Sequence, residues 1–380
     1  MTSHSWKTDN DVLAYDAIVY PGDGVTEAVD LYGELIDSDT APNILDGLAE
    51  VAGKYLILPG TYAGAGHVVS LADDVIFEGA YRNGVILDDF GLSIGDGISG
   101  AQVKNLSITG SPGADLAGIL LTGDVANARL QNLYFDMDSA PHAALRLTAG
   151  SGKTISGVVM QDLMATGNAH GYVLDGVGSF AGITMNRLLA WKCGFSGHHD
   201  TDVAGFTFPE PNTALHSNVL LKNSLAAYCY GTGFLPEGDL SSGPISLSNC
   251  MGHDNEQKES PAAGSEFEVI NGTFISGIER GASADAYANA LLWNCEPQGV
   301  YKNLFIANVH ATNELKYKIT GYATPADVVG TTIAAETALP ALEFMAIQVL
   351  NLYDHIGVQV KSSVGSTPAT WLADYWGGQQ

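Results

Sequence analysis

The side chains best suited to chemistry fall in two acidic stretches. The first, GHHDTDVAGFTFPEPN at 197–212, carries His198, His199, Asp200, Asp202 and Glu210. Two carboxylates drawn from Asp200, Asp202 and Glu210 would suit glycoside hydrolysis, where one acid protonates the leaving oxygen and the other acts as base or nucleophile. The same segment with His198 or His199 offers ligands to a divalent cation, but it shows no recognised ligand spacing, so no metal and no cofactor is expected. A plain hydrophilic loop is the third reading of these residues. The second stretch, His253-Asp254-Asn255-Glu256-Gln257-Lys258-Glu259, follows Glu237 and Asp239. Facing the first stretch across a groove, it would let separate parts of the chain supply the two carboxylates.

What would position these residues is a repeat. A phrase of alternating apolar residues around a polar anchor recurs at Asn105, Asn132, Asp162, Arg187, Asn223, Asn249, Asn271 and Asn303, at steps of 22 to 36 residues. Period-two alternation marks a strand with one buried face. Steps of that size suit one coil of a β-solenoid, with loops where a step is long. A leucine-rich repeat also places Asn after apolar positions, but the segments between these anchors hold Gly, Ser, Asp and Thr rather than helix formers. The expected fold is therefore all-β, a right-handed single-stranded parallel β-helix. The anchors read as a scaffold in which side-chain amides bond from coil to coil.

Stacking the coils on their anchors predicts which residues become neighbours. Four positions past each anchor stand Thr109, Asp136, Thr166, Trp191, Ala227 and His253; five past come Gly110, Met137, Gly167, Lys192, Tyr228 and Asp254. Six past come Ser111, Asp138, Asn168, Cys193, Cys229 and Asn255. At ~4.8 Å per coil, Asp136 to His253 spans roughly 20 Å, the length of a few sugar units. Trp191 and Tyr228 would stack on sugar rings while Asp136, Asp138, Asn168, His253, Asp254 and Asn255 bond hydroxyls. The alternative is that these are ordinary solvent-side residues of the coil.

Composition narrows the partners. Against 42 Asp and Glu stand 16 Lys and Arg, a net charge of −26 over 380 residues. Such a surface repels nucleic-acid phosphates and anionic lipid heads. No apolar run is long enough for membrane insertion, and the N-terminus lacks the basic-then-apolar pattern of a signal peptide, so synthesis in a cytoplasm is expected. Cys193, Cys229, Cys250 and Cys295 have no metal-like spacing. Cys250 takes the place of Leu106 and Leu133 and reads as a core filler. Cys193 and Cys229 are expected as neighbouring buried thiols, since coil spacing is slightly long for a disulfide.

Three parts are expected: an N-terminal segment and cap at 1–62, the parallel β-helix at 63–317, and a β-rich C-terminal cap or oligomerisation element at 318–380. Residues 27–50 space apolar positions three to four apart, which predicts a small helical cap over the open end.

Pro21-Gly22-Asp23-Gly24-Val25-Thr26-Glu27 and Tyr55-Leu56-Ile57-Leu58-Pro59-Gly60-Thr61-Tyr62 resemble the opening motifs of the pectate-lyase-like β-helix family of bacteriophage tailspikes and tail fibres. The resemblance covers about residues 15–62, and DAIVY stands where the family usually has an aromatic followed by Asp-Tyr-Gly-Ala. It implies a virion surface protein, homotrimeric, in contact with other virion proteins and binding a host surface polysaccharide with or without hydrolysis. Two other functions remain open: a purely structural virion component and a stand-alone polysaccharide hydrolase or lyase. The Asn-Thr-Asp, Asp-Asp, Gly-His-Gly and Arg-Ile-Lys phrases by which polygalacturonases resemble one another are missing. A lyase would also need cations to stabilise an enolate, and the helix offers chiefly Arg187, Lys192 and Lys222.

Overall fold

The computed structural model describes residues 15–22, 25–112, 117–137, 143–167, 170–193, 204–208, 216–227, 229, 232–236 and 245–253, together with the strands of 267–374. Its body is a β-solenoid. Successive coils pair in parallel through three faces. The first stacks Gly53–Ile57, Val75–Gly79, Gln102–Lys104 and Arg129–Gln131, followed by the opening halves of Val159–Thr166 and Thr184–Trp191, then Val219–Lys222 and Ile245–His253. The second face lies one bend further along each coil and includes Ser107–Gly110, Tyr134–Met137 and Leu225–Ala227. A third runs through Ile119–Thr122, Ala143–Thr148, His170–Asp175, Ala204–Phe208 and Thr232–Pro236.

The anchors form the bend between the first two faces. Asn105, Asn132, Asp162, Arg187 and Asn223 all have φ between 52° and 59°. A left-handed residue turns the chain sharply in one step, and Asn and Asp tolerate that region better than most residues. A second left-handed column, through Asp74, Gly100, Asn127, Gly157, Gly182 and Asn218, leads back into the first face. The side chains add a ladder in part. Asn132 Nδ2 donates to Asn105 Oδ1 at 2.9 Å. Asp162 and Arg187 replace the amides with a two-pronged ion pair at 2.5 and 2.7 Å. Asn223 donates instead to Asn186.

Inside, each strand delivers alternate residues to a column. Phe77, Val103, Leu130, Met160, Met185 and Leu221 stack in register behind the first face, and Leu87, Ile108, Phe135, Ala165, Ala190 and Ala226 behind the second. All are fully buried. Cys250, Cys193 and Cys229 are buried, as expected.

The N-terminal end carries the expected small helical cap, over part of residues 27–50. Residues 27–50 divide between sheet and helix. Strand β1 (Ala17–Pro21) pairs antiparallel with β2 (Thr26–Val29), which pairs antiparallel with β3 (Leu35–Asp39). Only Ala41–Ala49 is helical, α1, with a Pro at its start and Ala41, Ile44, Leu45 and Ala49 buried against the coil end. The Asx-type turn at Asp30, whose carboxylate accepts the N–H groups of Tyr32 and Glu34, closes the β2–β3 hairpin and outweighs the helical spacing. β1 joins the solenoid through parallel pairing with Gly53–Ile57.

At the other end an expectation is corrected. The phrases around Asn271 and Asn303 were expected to be parallel coils, but Phe267–Ser276 pairs antiparallel with Ile245–His253 and with Asn289–Trp293. Tyr301–Ala307 lies between Phe344–Leu350 and Leu372–Asp374, also antiparallel. An alternating strand buries one face whichever way its neighbour runs, so the phrase by itself does not encode direction.

Candidate functional site

The second face carries the column expected four positions past the anchors. Its register places Thr109 beside Asp136, Asp136 beside Thr166, Thr166 beside Trp191, Trp191 beside Ala227 and Ala227 beside His253. This is the column read four positions past the anchors. Asp136, Thr166 and Trp191 are half-buried, each directly after a fully buried residue (Phe135, Ala165 and Ala190), so they stand on the outer surface. Two residues earlier on the same strands a second row runs Ile86, Ser107, Tyr134, Met164, Leu189 and Leu225, of which Ser107 is buried and donates its hydroxyl to the Arg82 carbonyl. The strip therefore pairs an apolar and aromatic row with a row of hydroxyls, a carboxylate and an indole.

Tyr134 Oη donates to Asp136 Oδ2 at 3.3 Å, a bond that joins the two rows across the strip. Burial first, and then the Asp136 charge, push the Tyr134 phenol up from its usual range, so it remains a donor at neutral pH. The strip extends one coil beyond the expected column. Asp88 pairs with Thr109 in register, and Thr109 Oγ1 donates to its carboxylate at 2.8 Å. The spacing rule missed Asp88 because Lys104 pairs with Glu78, which puts this coil's bend at Gly79, and residues 80–84 intervene before the strand resumes at Val85. A run of polar and turn residues inside AYRNG was the available signal.

Along the bend, Asp162 and Arg187 border the strip. The hydrogen bonds from Arg187 hold the Asp162 carboxyl below the ordinary aspartate range. Arg82 lies close enough for its charge to act on both Tyr134 and Asp162. This edge presents charge-assisted donors beside the aromatic row.

Of the other expected binding residues, His253 ends the Ile245–His253 strand at its expected place in the column. Asp138, Asn168, Tyr228, Asp254 and Asn255 lie outside the described residues. So do Asp200, Asp202 and Glu210. The insertion holding those three is not one continuous loop: Ala204–Phe208 is a third-face strand between His170–Asp175 and Thr232–Pro236, with Phe206 and Phe208 buried. Cys193, in the row six past the anchors, points inward rather than onto the strip. Among the described residues no group of three His, Cys, Asp or Glu side chains is placed to hold a metal ion. No helix among them is long and apolar enough to cross a membrane.

No family model matches the chain, and no curated protein matches it. Among the solved structures it is similar to are bacteriophage tailspike proteins and A-modules of mannuronan C-5 epimerases. The tailspike protein of Acinetobacter baumannii bacteriophage Fri1, a capsular polysaccharide depolymerase, is 11% identical with a TM-score of 0.27, over 87% of this chain and 84% of that one. The A-module of an Azotobacter vinelandii mannuronan C-5 epimerase is 13% identical with a TM-score of 0.25, over 64% of this chain and 76% of that one. The enzymatically active domain of bacteriophage CBA120 tailspike protein 4 is 11% identical with a TM-score of 0.20, over 95% and 70%. Nothing about this chain's activity follows from likeness at that level.

Proposed function

We propose that the second face binds a polysaccharide laid along the solenoid axis, and that the protein is a virion surface adhesin, homotrimeric and held among other virion proteins, for which that polysaccharide is the host surface. The observation that carries the glycan reading is the register that brings Asp136, Thr166 and Trp191 into one outward column beside Tyr134. Aromatic faces stack on the apolar faces of sugars, and fixed carboxylate and hydroxyl groups set their orientation. A plain structural shaft would show small polar outward columns, and Tyr134, Met164, Leu189 and Trp191 depart from that. The virion setting rests on the resemblance of the 15–62 motifs to phage tailspikes. If the ligand is also cut, Asp200, Asp202 and Glu210 are the proposed carboxylates.

Glycan-array binding of the full chain and of Trp191→Ala tests the reading. The substitution is expected to weaken binding about tenfold or more, the usual scale for a central aromatic anchor, with an unchanged unfolding temperature. Equal binding by both proteins would remove the site assignment. Release of reducing ends by the wild type, lost in Asp200→Asn, Asp202→Asn or Glu210→Gln, would establish hydrolysis and its carboxylates.

A further inference from the structure

Among the described residues, exposed large hydrophobic side chains are concentrated near the N-terminus. Of the eight among the described residues, six lie between Tyr20 and Val51: Tyr20, Val25, Tyr32, Leu35, Ile36 and Val51. Single exposed apolar residues need no explanation, but a contiguous group marks a contact surface. The antiparallel register makes part of this group contiguous. Ile18 pairs with Val29, and Val29 with Leu35, so the three stand in a row across β1, β2 and β3. Tyr20, two residues along from Ile18, shares their face. That face is the outer one, because Val19 and Ala28, a register pair between these positions, are fully buried. Leu35 is 59% exposed, and Tyr32, in the turn joining β2 to β3, is 89% exposed. Two Asp30 hydrogen bonds hold that turn rigid at 2.8 and 2.9 Å.

A strand at the rim of a sheet can also recruit a partner through its backbone. Here two donors at the outer edge of β3 are already engaged: the Ser38 and Thr40 N–H groups donate to the carboxylates of Asp37 and Asp39, each at 2.7 Å. The exposed apolar face, through its side chains, is the stronger feature for recognising a partner. Glu27 and Glu34 are exposed beside the apolar row. A second copy of this chain would bring the same acidic rim, and with 16 Lys and Arg against 42 Asp and Glu it has little to offset the repulsion.

We propose that the outer face of the N-terminal sheet, centred on Ile18, Val29 and Leu35 with Tyr20 and Tyr32 beside them, docks a different protein whose contact surface has an apolar centre flanked by Lys or Arg. This surface is separate from the glycan strip and does not depend on it.

The test uses the full chain and two fluorescein-labelled strand-length peptides, one alternating Leu with Lys and one alternating Leu with Glu, followed by fluorescence anisotropy at physiological salt. The Leu/Lys peptide is expected to bind at least about tenfold more tightly than the Leu/Glu peptide. Tyr20→Ser/Leu35→Ser is expected to weaken it by a similar factor, and Glu27→Lys/Glu34→Lys to abolish the preference. Asp96→Asn/Asp124→Asn, which removes two acidic charges on another part of the coil, should leave binding unchanged. Should Tyr20→Ser/Leu35→Ser fail to fold, Tyr32→Ser in the exposed turn replaces it, with the same expectation. Unchanged peptide binding by the apolar variants, or equal loss in Asp96→Asn/Asp124→Asn, would overturn the proposal. So would sedimentation equilibrium showing that wild-type chains self-associate and that Tyr20→Ser/Leu35→Ser separates them, since the face would then join copies of this chain.

Discussion

Asn132 stands one coil from Asn105, its amide donating to the Asn105 side-chain oxygen at 2.9 Å while both backbones occupy the left-handed region. The same residue type meets two demands at once: it tolerates positive φ, and it links neighbouring coils. Asn132→Ala should lose both, costing roughly 1–2 kcal/mol for the backbone and about 1 kcal/mol for the hydrogen bond. Asn132→Gly should lose only the latter. Chemical denaturation of the three proteins checks the order; equal destabilisation by Ala and Gly would show that φ is not the constraint.

The Asp162–Arg187 pair occupies the same ladder with charge instead of amides. Both partners are partly exposed, so a double-mutant cycle with Asp162→Asn and Arg187→Gln should give a small coupling that shrinks in high salt. Arg187 lowers the folded-state pKa of Asp162. The folded protein therefore binds fewer protons than the unfolded chain just below the unfolded pKa of about 3.9. The contribution is present above that value and fades as pH falls through the folded one. Wild type and Asp162→Asn should converge in stability on acidification.

His216 is a buried base with the opposite chemistry and the same sign. Burial holds its imidazole below the ordinary histidine range, and Nδ1 accepts the Phe180 N–H at 3.4 Å. The unfolded chain takes up a proton near pH 6.5 and the folded one only at lower pH. Stability from this group is thus complete above about pH 6.5 and declines as pH falls from there towards the folded value. Unfolding temperatures measured from pH 7 to 5 should fall more steeply for wild type than for His216→Phe.

Packing makes its own demand where Phe135 lies between Ile108 and Ala165 in the inner column. Phe135→Ala should cost about 3–5 kcal/mol through the cavity it leaves. Ala165→Leu should cost roughly 1–3 kcal/mol by overfilling the neighbouring coil. Thermal unfolding checks both, and a neutral Ala165→Leu would reveal a void beside Phe135.

The third face holds a tighter constraint. A Cβ on Gly171 would come within 2.3 Å of the Gly205 carbonyl oxygen on the next coil. Because the obstacle is backbone, Gly171→Ala should destabilise by at least the 1–3 kcal/mol usual for overpacking. Soluble yield and unfolding temperature should both drop; a variant as stable as wild type would mean that the coils separate easily here.

Much of this architecture was legible in the chain because a solenoid turns sequence distance into spatial adjacency with few free parameters. Once the anchors were aligned, the column Thr109, Asp136, Thr166, Trp191, Ala227 and His253 followed, since every coil between bend and strand has the same length. Asp88 escaped because five residues inserted after Gly79 break that equality. Tyr134 was visible as an alternating residue but gained meaning only when its hydroxyl was seen on Asp136. The left-handed backbone of the anchors was hidden as well: Arg187 belongs to the column by φ, although its residue type gives no hint of it.

The amino-acid order alone determined the alternation, the repeat length and the inward and outward identity of each position, because these depend on local periodicity and the burial of apolar side chains. Tertiary structure decided what local pattern leaves open. It set the direction in which Phe267–Ser276 pairs, the hairpin that residues 26–39 form ahead of the short helix, and the exposure of that hairpin's outer face. Strand direction and exposure depend on which distant segment arrives alongside, and hydrogen bonds to either kind of neighbour satisfy the same backbone.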